Sequence, residues 1–182
     1  MMKETQGKRL EVRGLRFKWV LSALCLLFLF GCSGYHIAGK GGSLPGGIQS
    51  ISVPIFTNNT AKPGIESTIS PPFSDELIKT GLVKIGSKSE GTLKGTIKEY
   101  TVTSIAFDPQ DKVKKYRLTV VIDLVLVESS SEKVLWQGLG LRDSEEFLAL
   151  DDVISETNED AALKKIATDL AKRFKERVLE GF

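Results

Sequence analysis

The sequence predicts an α+β domain in which a mainly antiparallel sheet of about four strands carries two helices on one face, in the order β-α-β-β-β-α. Three observations lead there. Tyr116 to Val127 alternates without a break, with Leu118, Val120, Ile122, Leu124 and Leu126 on one face and Arg117, Thr119, Val121, Asp123 and Val125 on the other. Segments of strand-like composition lie on either side of it, joined by polar turns short enough for antiparallel pairing. Apolar residues then recur at helical spacing twice, at Ile65, Ile69, Phe73 and Leu77 and again at Leu163, Ile166, Leu170, Phe174 and Val178.

The first strand runs from Ile48 to Phe56, where Ile51, Val53 and Ile55 alternate with Ser50, Ser52 and Pro54. Pro54 has no ladder donor and belongs at an edge or a strand end. Thr57-Asn58-Asn59-Thr60 reads as a turn. Pro71-Pro72 interrupts the helical pattern that follows. Proline is tolerated at a first helical position, so the pattern divides into a short turn at 64–69 and a helix at 71–80, with Ser70 as N-cap and Gly81 as terminator. Leu93–Val102, Tyr116–Val127 and Val134–Arg142 are the next strands, the last two linked by the polar turn Ser129–Lys133. The final helix spans about 159–179, with Ala167 and Ala171 beside its apolar stripe and Thr157-Asn158-Glu159-Asp160 able to cap its start.

Ahead of the domain, Lys8, Arg9, Arg13, Arg16 and Lys18 precede an apolar run of twelve residues, Trp19 to Phe30. At about 1.5 Å per residue the run reaches roughly 18 Å, short of the roughly 30 Å hydrocarbon core. A basic leader, a short apolar stretch and a small residue describe a secretory signal. Gly31-Cys32 at its end resembles a bacterial lipoprotein signal, in which Cys32 is lipidated and becomes the mature N-terminus. Phe30 is bulkier than that pattern usually has, and the competing readings are an ordinary signal cut nearby or an uncleaved anchor. Ser33, rather than Asp, follows the cysteine, which favours the outer membrane. The organisation expected is therefore a signal at 1–31, a lipidated cysteine and Gly-rich tether at 32–47, and one domain at 48–182.

Removing the leader changes the charge. It holds six of the 25 Lys+Arg and two of the 23 Asp+Glu, which leaves 19 basic and 21 acidic groups and a net charge of −2. The basic balance belongs to the leader and gives no argument for nucleic acid. Cys25 goes with the signal and Cys32 with the lipid, so no thiol chemistry remains.

Catalytic material is scarce. His36, the only histidine, lies in the tether, which excludes an imidazole base or a His-rich metal site in the domain, and no cofactor motif is present. Asp75-Glu76, Glu145-Glu146 and Asp151-Asp152 are adjacent pairs whose side chains diverge on regular elements, so they read as solvated surface. Gly39-Lys40-Gly41-Gly42 lacks the strand and the Gly-Lys-Ser/Thr of a phosphate loop. Lys112, Lys114, Lys115 and Arg117 form a basic patch that could meet phosphates or anionic headgroups. The bland alternative is a solvated hairpin tip flanked by Asp108 and Asp111. Tyr100, Phe107, Tyr116, Trp136 and Phe147 read mostly as core or sheet packing, with one or two of them candidates for exposure toward a partner.

Several of these segments together resemble the LptE lipopolysaccharide-assembly lipoproteins. Cys32-Ser33-Gly34-Tyr35-His36-Ile37 is similar to their mature start, and Ile51–Thr60 to their first strand and Asn-bearing turn. Pro63-Gly64-Ile65-Glu66, Leu93-Lys94-Gly95-Thr96-Ile97, Tyr116-Arg117-Leu118 and Val134-Leu135-Trp136 follow in the family's order. The resemblance implies a non-catalytic outer-membrane lipoprotein that plugs and helps assemble the LptD β-barrel and can bind lipopolysaccharide, here through Lys112, Lys114, Lys115 and Arg117. Residues 143–160 are acidic where relatives that bind the glycolipid are basic, which ranks the barrel ahead of the glycolipid as partner. The alternative from another class is a stand-alone lipid carrier with a groove between sheet and helices. A carboxylate hydrolase has no constellation behind it.

Overall fold

The computed structural model describes residues 44–150 and 154–180. The signal, Cys32, His36, most of the tether and Asp151-Asp152 lie outside the described residues. In chain order the elements are a 3-10 turn (Pro45–Gly47), β1 (Ser50–Ser52), β2 (Thr57–Asn58), α1 (Glu66–Ile69), α2 (Pro71–Lys79), β3 (Lys84–Ile85), β4 (Gly91–Phe107), β5 (Val113–Glu128), β6 (Val134–Leu148) and α3 (Glu156–Glu180).

The α+β class stands, but the sheet is larger and mixed. It has six strands in the order β3-β1-β4-β5-β6, with β2 also on β4. The expected antiparallel pairing holds for β4, β5 and β6. β1 and β2 instead run parallel to β4, and β3 parallel to β1. The reason is the helical crossover: a chain that returns through α2 re-enters the sheet in its original direction. β3 has only two residues, too few to show a period.

β1 and β2 form one interrupted edge along β4. Ser52 pairs with Thr92 and Thr57 with Thr96, so five steps on this edge face four on β4. The extra residue falls around Pro54 and inverts the alternation. Ile55, expected beside Ile51 in the core, is 62% exposed, and Phe56 turns inward in its place. Thr57-Asn58, expected as turn, is the second half of this edge, and the turn begins at Asn58. Its Oδ1 accepts the Thr60 N–H at 2.9 Å, while Nδ2 donates to the Lys62 carbonyl and to Glu66.

The helix boundaries fall close to expectation. Gly81, at φ +68°, ends the helical stretch, and α1 and α2 meet at Ser70. Ser70 is not the expected N-cap. It is itself helical, its hydroxyl donates to the Glu66 carbonyl at 2.6 Å, and its oxygen accepts the Phe56 N–H at 2.9 Å. It thereby ties the edge of the sheet to the helices. α3 begins earlier than expected, and Ser155, rather than the Thr157–Asp160 run, lies at its start, its hydroxyl oxygen 3.4 Å from the Asn158 N–H.

One core fills the space between sheet and helices. All five inward residues of β5 and the whole α3 stripe are buried. Phe56, Phe73, Phe174 and Trp136 form a chain of ring contacts 5.0 to 5.8 Å apart. Leu44 is buried in the same core and Pro45–Gly47 is ordered beside it, so the packed domain starts within the stretch expected to be tether.

Candidate functional site

β4 and β5 are joined by a hairpin whose turn lies at Asp108–Lys112. Asp108 builds that turn. Its Oδ1 accepts the N–H of Gln110 at 2.9 Å and of Lys112 at 3.0 Å, and its own N–H bonds the Lys112 carbonyl. The Lys112 N–H is the main reason that the Asp108 carboxyl is held below its ordinary range. Asp111 takes φ +60°, a conformation that Asp tolerates in tight turns.

The four predicted cations are all carried by this hairpin. Lys114 lies 3.4 Å from Asp108. Lys115 and Arg117 share Glu146 of β6, at 3.7 and 2.8 Å. Arg117 is the chief cause that lowers the Glu146 pKa. Lys115 and Arg117 stand on the face of the sheet away from the helices, opposite Leu148 and Glu146 in the β5–β6 register. The stretch Asp108–Arg117 together with Glu146 holds four cations and three carboxylates, so the patch is close to balanced. It offers directional donors more than net charge.

Exposed apolar residues stand beside these cations. Phe107 is 57% exposed at the hairpin end, and Leu148 and Leu150 are 59% and 60% exposed on the neighbouring strand and just beyond it. Ala149 between them donates to the Lys114 carbonyl, which holds that segment against the hairpin. Phe107 could have been singled out from its place next to a turn. Leu148 and Leu150 were masked by the acidic run, because β6 was expected to stop at Arg142. It continues because its acids are matched: Asp143 pairs with Arg173 at 2.9 Å, Glu145 with Lys165 at 2.6 Å and Glu146 with Arg117. Tyr116 and Phe147 stack beneath, buried as packing residues.

Two acidic groups expected at the surface or in a cap are buried. Glu76 of α2 is clamped between Lys79 at 2.6 Å and Lys175 of α3 at 2.7 Å, and Lys175 is the larger cause of its lowered pKa. Glu159 accepts a hydrogen bond from the Tyr100 hydroxyl and lies 3.1 Å from Lys62. Burial, aided by Glu159, pushes the Tyr100 phenol far above its usual range, so it remains a neutral donor. Among the described residues no three His, Cys, Asp or Glu come together as a metal site. A cavity of about 320 Å³ lies between the end of β6 and α3.

The site thus consists of a mixed sheet with helices on one face and a hairpin that carries cations and exposed apolar groups. The chain matches the LptE lipopolysaccharide-assembly family over residues 48–178, and it belongs to that family. No curated protein matches it. Among solved structures it is similar to a lipoprotein-described protein of Caulobacter crescentus CB15, at 10% identity and a TM-score of 0.50, covering 69% of this chain and 89% of that one. A minor lipoprotein from Acinetobacter baumannii follows at 12% identity and TM-score 0.45, covering 73% and 92%. An uncharacterized lipoprotein B from Nitrosomonas europaea has 16% identity and TM-score 0.47, covering 81% and 92%. At such identities the likeness is one of fold.

Proposed function

We propose that this protein is a non-catalytic outer-membrane lipoprotein, anchored through Cys32, that plugs and helps assemble an LptD-type β-barrel for lipopolysaccharide export. The family match over residues 48–178 carries the reading. The protruding hairpin supports it: Lys112, Lys114, Lys115 and Arg117 beside Phe107 and Leu148 suit the phosphates and acyl groups of a glycolipid, or a polar barrel wall. Near-balance of charge ranks the barrel first and direct glycolipid contact second. The carrier alternative gains nothing from the 320 Å³ cavity, which is at the small end for ligand pockets of about 300–1,000 Å³ and too small for several acyl chains.

The test is purification of the tagged full-length lipoprotein from detergent-solubilised membranes. A stoichiometric, salt-resistant barrel is the expected companion. A free monomer, with surface lipopolysaccharide unchanged in cells that lack the protein, would sink the reading.

A further inference from the structure

A second cavity, of about 130 Å³, lies between the middle of β6 and the last turns of α3. A β-bulge shapes its β6 wall. Ile122 pairs with Leu141 and Leu124 with Gly138, so Leu139 and Gly140 together oppose Asp123. Gly140 takes φ +63°, and its N–H donates to Asp123 on the β5 side of the bulge at 2.7 Å. Three arginines line the cavity, Arg142 from β6 with Arg173 and Arg177 from α3, and no described carboxylate does. Arg173 is fixed: its Nε and Nη1 donate to the carbonyls of Asp169 and Arg142 at 3.5 and 3.1 Å, and Asp143, 2.9 Å from Nη2, balances its charge. The side chains of Arg142 and Arg177 are exposed and make no hydrogen bond or ion pair with any described group. The lining therefore keeps a surplus of two positive charges, and a concavity lined by one sign of charge concentrates the opposite ion.

We propose that this cavity binds a phosphate group through the free guanidinium groups of Arg142 and Arg177, with Arg173 as its fixed wall. A phosphate monoester carries a charge of about −1.5 to −2 and three acceptor oxygens, which matches two unpaired forks and their surplus charge. A carboxylate brings one charge, and a single guanidinium satisfies both of its oxygens. The volume of 130 Å³ equals the liquid share of roughly four water molecules, room for the phosphate but not for a nucleotide or a sugar chain. The phosphate is thus either the free ion or the tip of a larger molecule that stays outside, such as a lipid headgroup. None of the hairpin cations takes part, and the site needs no barrel.

Equilibrium dialysis of the purified full-length lipoprotein in detergent tests this, with radiolabelled inorganic phosphate as one probe and mixed micelles of phosphatidic acid as the other. Saturable uptake of one phosphate per chain is expected from at least one of them. Arg142→Gln and Arg177→Gln should each weaken it on the order of tenfold, the loss of a charge-assisted hydrogen bond. Both side chains are exposed and unpaired, so the variants keep the fold. Lys84→Gln, on β3 at the opposite edge of the sheet, should change nothing. Uptake of phosphatidic acid without uptake of the free ion assigns the site to a lipid headgroup, and uptake of the free ion that phosphatidic acid does not displace assigns it to inorganic phosphate. Uptake of neither, uptake that survives both arginine substitutions, or displacement by acetate as readily as by phosphate overturns the proposal. A copurifying barrel without phosphate uptake would keep the barrel reading and remove this site; uptake without a barrel would do the reverse.

Discussion

Glu76 shows why adjacent acids should not be read as a pair. Asp75 stays on the surface, while Glu76 turns with Phe73 and Leu77 toward α3, where only 4% of its side chain remains exposed. Its partner Lys175 is 99 residues away, so no local pattern could reveal the contact. Two cations lower its folded pKa below the ordinary 4.5, so its stabilisation is present above about that pH and lost as pH falls through the lower folded value. Glu76→Gln should therefore cost roughly 2 kcal/mol at pH 7, the scale of charge-assisted hydrogen bonds. Urea unfolding of both proteins from pH 7 to pH 3 checks this: the gap should narrow below pH 4.5, and a pH-independent gap would contradict it. Tyr100 makes a parallel case. Tyr100→Phe leaves buried Glu159 with Lys62 alone and should lose about 1–2 kcal/mol by the same measurement at pH 7, with the double variant Tyr100→Phe/Glu159→Gln losing less than the sum of the two single changes.

At the level of elements, the long regular pieces were legible and the short non-local ones were not. β5 and α3 carry enough repeats of one period that their faces are unambiguous, and every predicted core residue on them is buried. β4 and β6 were recognised but drawn too short, since their outer halves bear Thr, Ser and charged residues whose partners lie on other elements. The parallel edge was out of reach, because two-residue strands carry no period and pairing across a crossover leaves no local mark. Of the candidate site, the cations were legible as a run, while their neutralisation by Glu146 required the β5–β6 register. Gly95 shows a packing constraint hidden in a strand. A Cβ there would come within 2.4 Å of the Phe56 ring, which is pinned against Phe73. Gly95→Ala should destabilise by about 1–3 kcal/mol despite its better strand propensity, as overpacking does. Phe56→Leu in the same chain should recover part of that loss in thermal unfolding, and no recovery would place the strain elsewhere.

Across the whole molecule, the described chain begins at one end of the sheet and the hairpin ends at the other. Ser50–Ser52 lies beside the start of β4, and the seventeen residues of β4 run from there toward the turn, a length of roughly 55 Å at strand rise. The core does not need this reach. Tyr116 and Phe147 are the outermost buried pair on β5 and β6, and Phe107 and much of the tip beyond them are exposed. A projection that contributes little burial yet is built tightly around Asp108 calls for a role outside the fold. Replacing residues 107–114 by Asn-Gly would close Ala106 against Lys115, which already pair, through a two-residue hairpin turn. The shortened protein should unfold within several degrees of the parent, since beyond the half-buried Val113 and the Lys114 carbonyl that bonds Ala149 it loses mainly solvated residues. If the tip is where the protein meets its barrel or glycolipid, cells that carry only this variant should show normal lipoprotein levels but reduced surface lipopolysaccharide. Unchanged display would move the working surface to the sheet face, and a large fall in melting temperature would show that the tip serves the fold instead.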